Sequence, residues 1–240
     1  MTTLYVVATP IGNLEDISIR AINVLSNVDF ILAEDTRVTK VLLDRYNIHK
    51  EIISYHQHSG VHKIDKVIEL LRKGHNLALV SDAGTPGVND PGGFLIQNVL
   101  ETLPEVRIVP VPGPNAAITA LSASGFPADT FHYLGFVPHK KGRQTFFKNI
   151  ERMPETLVFY ESKHRIGKTL EALKAVLGSR PLLIARELTK QFETLYRGTI
   201  EHVTPAVLGD KVLGEFVIVI GPLRRSSNEA SPQSKQKHGE

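Results

Sequence analysis

Short apolar runs alternate with longer stretches in which apolar residues recur every three or four positions through the first half of the chain. Residues 4–9, 30–33, 52–55, 77–80 and 106–111 are runs of the first kind and predict buried strands. Between them lie helical patterns. Asp16 can cap a helix whose apolar face is Ile17, Ala21, Ile22, Leu25 and Val28. Val38, Val41, Leu42 and Arg45 follow at helical spacing, and Val61, Ile64, Val67, Ile68 and Leu71 mark a helix stopped by Gly74. Residues 115–124 are small and helical. This strand–helix rhythm predicts an α/β fold with a mostly parallel five-stranded sheet covered by helices on both faces.

Gly125, Phe126 and Pro127 interrupt the rhythm and place a domain boundary there, dividing residues 1–125 from 126–223. The second half predicts a mixed α/β domain, with strands at 131–136, 156–160, 182–186, 193–198 and 216–220. Its helices are expected at 142–153 and 165–177. Beyond Arg224 almost nothing is apolar, so residues 224–240 predict a disordered polar tail.

At 240 residues and 42% hydrophobic, the chain is long enough for two cores. It has no cysteine, which excludes disulfides and thiolate metal sites. It shows neither a basic leader nor an apolar run long enough for a bilayer, so a cytoplasmic location is expected. Of the net charge of +3, the tail carries +2. Nucleic-acid binding would therefore need clustered cations rather than bulk charge.

Three loops at the carboxyl ends of predicted strands are rich in glycine, proline and small residues: 9–13, 81–92 and 112–117. In open α/β sheets that edge is where ligands bind. Glycine admits close backbone approach and proline fixes loop shape, although turns favour these residues in any case. There is no G-x-G-x-x-G after the first strand and no P-loop, and no lysine lies in any of the three loops. A backbone-lined, mostly uncharged cleft suits a purine nucleoside with a small zwitterion better than a triphosphate.

Tyr5-Val-Val-Ala-Thr-Pro-Ile-Gly-Asn13, Glu34-Asp-Thr-Arg37, the loop from Ser81 to Gly92, and Pro112-Gly-Pro-Asn-Ala-Ala117 form an ordered set with Phe159-Tyr-Glu-Ser162, His164-Arg165 and Ala185-Arg-Glu-Leu-Thr-Lys190. On these motifs the chain resembles the ribosomal RNA small-subunit methyltransferase I family, of the tetrapyrrole-methylase-like class, from about Leu4 to Gly221. The resemblance implies two α/β domains, a homodimer, and S-adenosylmethionine (SAM) in the cleft between domains. It implies that Pro10, Ser81, Asp82, Ala83, Gly84, Pro86, Val88, Asn115 and Ala116 border the cofactor from the first domain. Tyr160, Glu161 and Leu188 would close the adenine side from the second. The implied reaction is methylation of a cytidine ribose 2′-hydroxyl in 16S rRNA of the small ribosomal subunit. Many members continue into a helical extension, whereas this chain passes after Gly221 into its polar tail. Lys211-Val-Leu213 also departs from the family pattern, so the grip on RNA is expected to be weaker or differently built.

A ribose hydroxyl needs a proton acceptor, for which Asp35, Glu187 and Lys190 are candidates. Glu34 and Asp35 pairing with Arg37 merely to order a loop is an equal reading, and Glu187 beside Arg186 carries the same ambiguity. Arg37, Lys163, His164 and Arg165 are candidate RNA contacts at the cleft mouth. His139, Lys140, Lys141 and Arg143 form a second cationic cluster, equally readable as a solvated helix start. His56, His58 and His62 invite a zinc reading, but no cysteine or acidic fourth ligand lies close, so no metal is expected. Two alternatives share the fold: methylation of a tetrapyrrole precursor, and a non-catalytic RNA-binding protein.

Overall fold

The computed structural model describes residues 1–55, 61–209 and 214–223. The polar tail, the His56–His58 segment and the Lys211 departure lie outside the described residues, as does the side chain of His62. In the first half, β1 (Thr3–Val7), β2 (Phe30–Ala33), β3 (Glu51–Ser54), β4 (Leu77–Val80) and β5 (Arg107–Val111) form one parallel sheet, ordered β3-β2-β4-β1-β5. Every residue of β4 is buried, as expected of a central strand covered on both faces. One face packs against α3 (Val61–Arg72) and α4 (Gly92–Thr102) through Val67, Leu71, Leu95 and Val99. The other packs against α1 (Ile19–Asn27) and α2 (Thr36–Arg45) through Ala21, Leu25, Leu42 and Leu43.

Local details correct the sequence-based expectations. Ser18, not Asp16, caps α1, its hydroxyl accepting from the Ala21 N–H; Asp16 ends a short 3-10 turn begun by Asn13. In α2 the buried face is Thr39, Leu42 and Leu43, while Val41 is 61% exposed and Val38 also faces out. Helix α4 was not predicted, because it opens on Gly92-Gly93 without a side-chain cap and reads as loop.

The second sheet is mixed. It contains β6 (Phe131–Phe136), β7 (Thr156–Ser162), β8 (Leu182–Arg186), β9 (Thr194–Gly198) and β10 (Glu215–Ile220), in the order β6-β7-β10-β8-β9. Only β6 and β7 are parallel. Helices α6 (Arg143–Arg152), α7 (Ile166–Leu177) and α8 (Ile200–Gly209) cover one face around Phe159, Leu170 and Ile218. The sequence did not predict α8, since Pro205 lies inside it; burial of Ile200, Val203 and Val207 outweighs the missing N–H.

The opposite face of this sheet is closed by α5 (Ala116–Ser122), whose Ala117, Ala120 and Leu121 pack on Val158, Leu183 and Val217. This helix precedes the Gly125 break, yet it lies against the second sheet. It therefore ties the two halves together directly beneath the loops of the first sheet.

Candidate active site

The three loops do converge. Thr9 and Gly84 exchange backbone hydrogen bonds of 2.9 and 3.1 Å, and the Thr9 hydroxyl donates to the Ser81 carbonyl. Thr85 donates to the Pro114 carbonyl at 3.1 Å, joining the second loop to the third. A side chain on Gly113 would meet Ala8 Cβ at 2.9 Å, so only glycine lets these backbones approach. Asp90 holds the long loop folded, one carboxylate oxygen accepting from the Gly87 and Gly92 N–H groups. Asn115 caps α5 by accepting from Ala117 and Ile118.

Between these loops and the second sheet lies a cleft of about 340 Å³, within the range of small-molecule sites. Of the residues expected at a cofactor, Ser81, Asp82, Ala83, Gly84, Val88, Asn115, Ala116, Tyr160, Glu161 and Leu188 line it. Pro10 and Pro86 do not; both are buried within the loops they shape. The sequence reading missed Ile11, Glu34 and Thr85 on the first-domain wall, and Phe136 and Val217 on the other. Glu34 was visible beside Asp35, while Phe136 and Val217 reach the cleft only through the crossing of the two halves.

The second-domain wall is aromatic. Tyr160 stacks edge-to-face with Tyr133 and with Phe136, whose ring is 53% exposed. The Tyr160 hydroxyl oxygen accepts from the Ala117 N–H, linking this wall to α5. Burial raises the Tyr160 pKa above its ordinary value. Glu161, next along β7, alternates to the opposite face. Its side chain is 0% exposed and binds Arg165 at 2.8 Å, the Thr169 hydroxyl at 2.6 Å and the Ser162 N–H at 2.7 Å. What Glu161 offers the cleft is backbone.

The expected proton acceptors turn out to be engaged. Asp35 caps α2 and forms a two-pronged pair with Arg37, whose hydrogen bonds take its pKa down to about 2. Asp82 accepts from the Asp35 N–H at 2.9 Å. Lys190 donates to Glu187 and Glu215 at 3.0 and 3.1 Å. Burial disfavours its charge, but the two carboxylates more than offset that, and its pKa is raised. Burial also pushes the Glu187 carboxyl up, yet hydrogen bonds from the Glu215 N–H and Lys190 win and lower it. A protonated Lys190 and a strongly ionised Glu187 are poor bases. Glu34 differs: it is half-buried, and burial, then Asp82 and Asp90, push its carboxyl up.

The cationic candidates also divide. Arg165 is turned inward, donating to the Val137 carbonyl as well as to Glu161. Arg143 binds the Thr169 hydroxyl and lies over the Phe147 ring. Lys163, His164, His139, Lys140 and Lys141 remain exposed. Arg37 is exposed too, its side chain at 89% while tethered to Asp35.

The glycine of the first loop is a contact between halves. The Asn13 N–H donates to the Thr189 hydroxyl, and a Cβ on Gly12 would sit 2.5 Å from Lys190 Cγ and 2.8 Å from the Thr189 hydroxyl oxygen. Glu187 and Thr189 both adopt left-handed backbone conformations (φ 50° and 64°) to make this turn. Gly12→Ala is expected to force the two loops apart, with an overpacking cost of about 1–3 kcal/mol. SAM affinity measured by calorimetry should fall; an unchanged affinity would show that this contact does not set the cleft.

Residues 3–204 match the family described as Tetrapyrrole (Corrin/Porphyrin) Methylases. A ribosomal RNA small subunit methyltransferase I from Escherichia coli O157:H7 is 48% identical over 221 residues, covering 90% of this chain and 77% of the relative. One from Haemophilus influenzae is 46% identical over 237 residues, covering 96% and 83%. The chain belongs to the ribosomal RNA small subunit methyltransferase I family. Members are methyltransferases, and the architecture agrees with that wider class. The crystal structure of a diphthine synthase superposes with a TM-score of 0.71 at 12% identity, covering 92% of this chain and 90% of that one, a likeness of fold alone. The sequence motifs named above lie around the cleft between the two halves or brace its walls.

Proposed function

We propose that this protein methylates the ribose 2′-hydroxyl of a cytidine in small-subunit ribosomal RNA, using SAM bound in the interdomain cleft. The observation that carries the reading is the chemistry of the cleft wall. No Lys, Arg or His lines it among the described residues, while Glu34, Asp82 and Asp90 do. That wall favours a cationic ligand and disfavours a nucleoside triphosphate. SAM supplies a methyl group activated by the sulfonium that carries it. Ser81–Thr85 and Asn115–Ala116 would bind such a ligand largely through backbone, and Tyr160, Phe136 and Leu188 would exclude water from its apolar part. The rigid loop contacts would hold the reacting atoms in line, a positioning effect of up to about 7–11 kcal/mol. A homodimer and a cytoplasmic setting are proposed with this reading, from the family resemblance; sedimentation tests the first.

The test is transfer of labelled methyl to small ribosomal subunits, with uroporphyrinogen as the competing acceptor and SAM binding measured separately. Transfer to uroporphyrinogen alone would overturn the RNA reading. SAM binding without any transfer would favour a non-catalytic role, and ATP binding in place of SAM would overturn the cofactor assignment.

Exposed cations at the rim would hold phosphates. Lys163→Ala is therefore expected to weaken RNA binding evenly across sequences and to reduce the slope of log affinity against log salt by about 1. SAM affinity should stay as in the parent. A salt slope identical to the parent's would remove Lys163 from the RNA path.

A further inference from the structure

Among the described residues six carboxylates besides Glu34 lie in or beside the cleft, and each has a fixed partner. Asp35 holds Arg37, Asp82 accepts from the Asp35 N–H, and Asp90 bridges Gly87 and Gly92. Glu161 holds Arg165 and Thr169, and Glu187 and Glu215 share Lys190. Glu34 lines the cleft immediately after β2, and among the described residues no hydrogen bond or ion pair engages its carboxylate. The pairing of Ala33 with Val80 puts it level with Ser81, at the foot of the long glycine- and proline-rich loop. A half-buried carboxylate without a partner is unfavourable unless something else supplies one.

We propose that the carboxylate of Glu34 is the proton acceptor for the hydroxyl that receives the methyl group. This assignment rests on the reading of the protein as a SAM-dependent ribose methyltransferase. In the transfer, the hydroxyl oxygen forms the new O–CH3 bond while the S–CH3 bond breaks. The bonding pair stays on sulfur, which becomes a neutral thioether, and the hydroxyl proton ends on Glu34. The groups facing Glu34 suit the task. From the β4–α4 loop come Asp82 and Asp90, which together with burial push its carboxyl up and make it a stronger base. From its own element come Asp35 and Arg37, already joined to each other. Across the cleft Glu215 is engaged by Lys190. Among the described residues no cation forms an ion pair with Glu34, so burial and the two neighbouring carboxylates keep its proton affinity high.

The same geometry separates a proton acceptor from a structural residue. A carboxyl whose pKa is raised by folding opposes folding once it is ionised, above the folded-state pKa, and that opposition fades as pH falls through it. Glu34→Gln should therefore leave the thermal midpoint at neutral pH equal to or above that of the parent. In single-turnover transfer to small ribosomal subunits, Glu34→Gln is expected to slow the methyl step by about 10²- to 10⁴-fold and to abolish the acidic limb of the rate–pH profile. Glu34→Asp should retain that limb and the parent's SAM affinity at reduced rate, and in Glu34→Gln SAM affinity by calorimetry should fall far less than the rate, because Asp82 and Asp90 remain on the wall. An unchanged rate in Glu34→Gln overturns the assignment. So does a parallel loss of SAM affinity, which would make Glu34 a counter-charge to the cofactor, or a lowered thermal midpoint, which would make it structural. Absence of transfer by the parent enzyme would overturn the RNA reading, and this assignment with it; transfer by the parent that Glu34→Gln leaves undiminished overturns the assignment alone.

Discussion

Glu161→Ala is expected to lower folding stability by about 3–5 kcal/mol, the cost of leaving a buried ion pair half-made. The carboxylate has no exposed surface and gathers three groups: Ser162 of its own strand β7, Arg165 at the entrance to α7, and Thr169 one turn further in. Arg143, on α6, stands 3.8 Å away and reaches the same Thr169 hydroxyl. Without the carboxylate, Arg165 keeps a charge at a side chain only 15% exposed. Its remaining partners are the Val137 carbonyl and the Ser162 hydroxyl, neither of which is charged. Urea unfolding followed by circular dichroism should show a lower midpoint with the slope retained. Glu161→Gln should recover part of the loss, since an amide oxygen can still accept from Thr169. A loss below about 1 kcal/mol would place Glu161 with ordinary surface pairs instead. Because Tyr160 lies beside Glu161 on the strand and faces the cleft, the stability of this network is also the stability of the cleft's aromatic wall.

Arg180→Ala should cost a similar amount, about 3–5 kcal/mol, for a different reason. Arg180 is 5% exposed and forms no salt bridge among the described residues; its guanidinium donates to three backbone carbonyls, of Gly221, Ile150 and Glu155. These belong to the end of β10, the last turn of α6 and the approach to β7. Burial holds the Arg180 pKa below its ordinary value. Truncation would leave three acceptors without donors where water enters poorly, and each such loss is worth about 1–3 kcal/mol before relaxation. Arg180→Lys should fall between, because an ammonium lacks the planar fork that spans carbonyls in three directions. Thermal and urea denaturation both test this, and a near-neutral Arg180→Ala would mean that the carbonyls find other donors.

Much of the architecture was legible from local pattern. Strands β2, β4, β6 and β8 run over the residues their apolar runs predicted, and the other strands differ only at their ends. The loops after β1, β4 and β5 could be named as a ligand edge because a parallel sheet must bring alternate connections to one side. Less legible were features whose deciding term is burial. Val38 and Val41 matched a helical period, but α2 buries Thr39, Leu42 and Leu43, a rotation of face that depends on what lies opposite. Helix α8 contains a proline that by itself argues against a helix, and α4 begins on two glycines. Tertiary packing overrides both signals.

At the site the division is sharper. Local sequence determined the first-domain loops: Asn115 as a helix cap, Asp35 beside Arg37, and glycines where backbones must pass close to one another. Those choices depend on interactions a few residues apart. Only the tertiary structure decided which charged groups are free. Arg165 and Glu161 neutralise each other inside the second domain, Lys190 is clamped by Glu187 and by Glu215 from β10, and Glu34 has no bonded partner among the described residues on the cleft wall. The physical reason is that a side chain's charge state and availability depend on desolvation and on partners distant in sequence, and those distances exist only once the chain has folded.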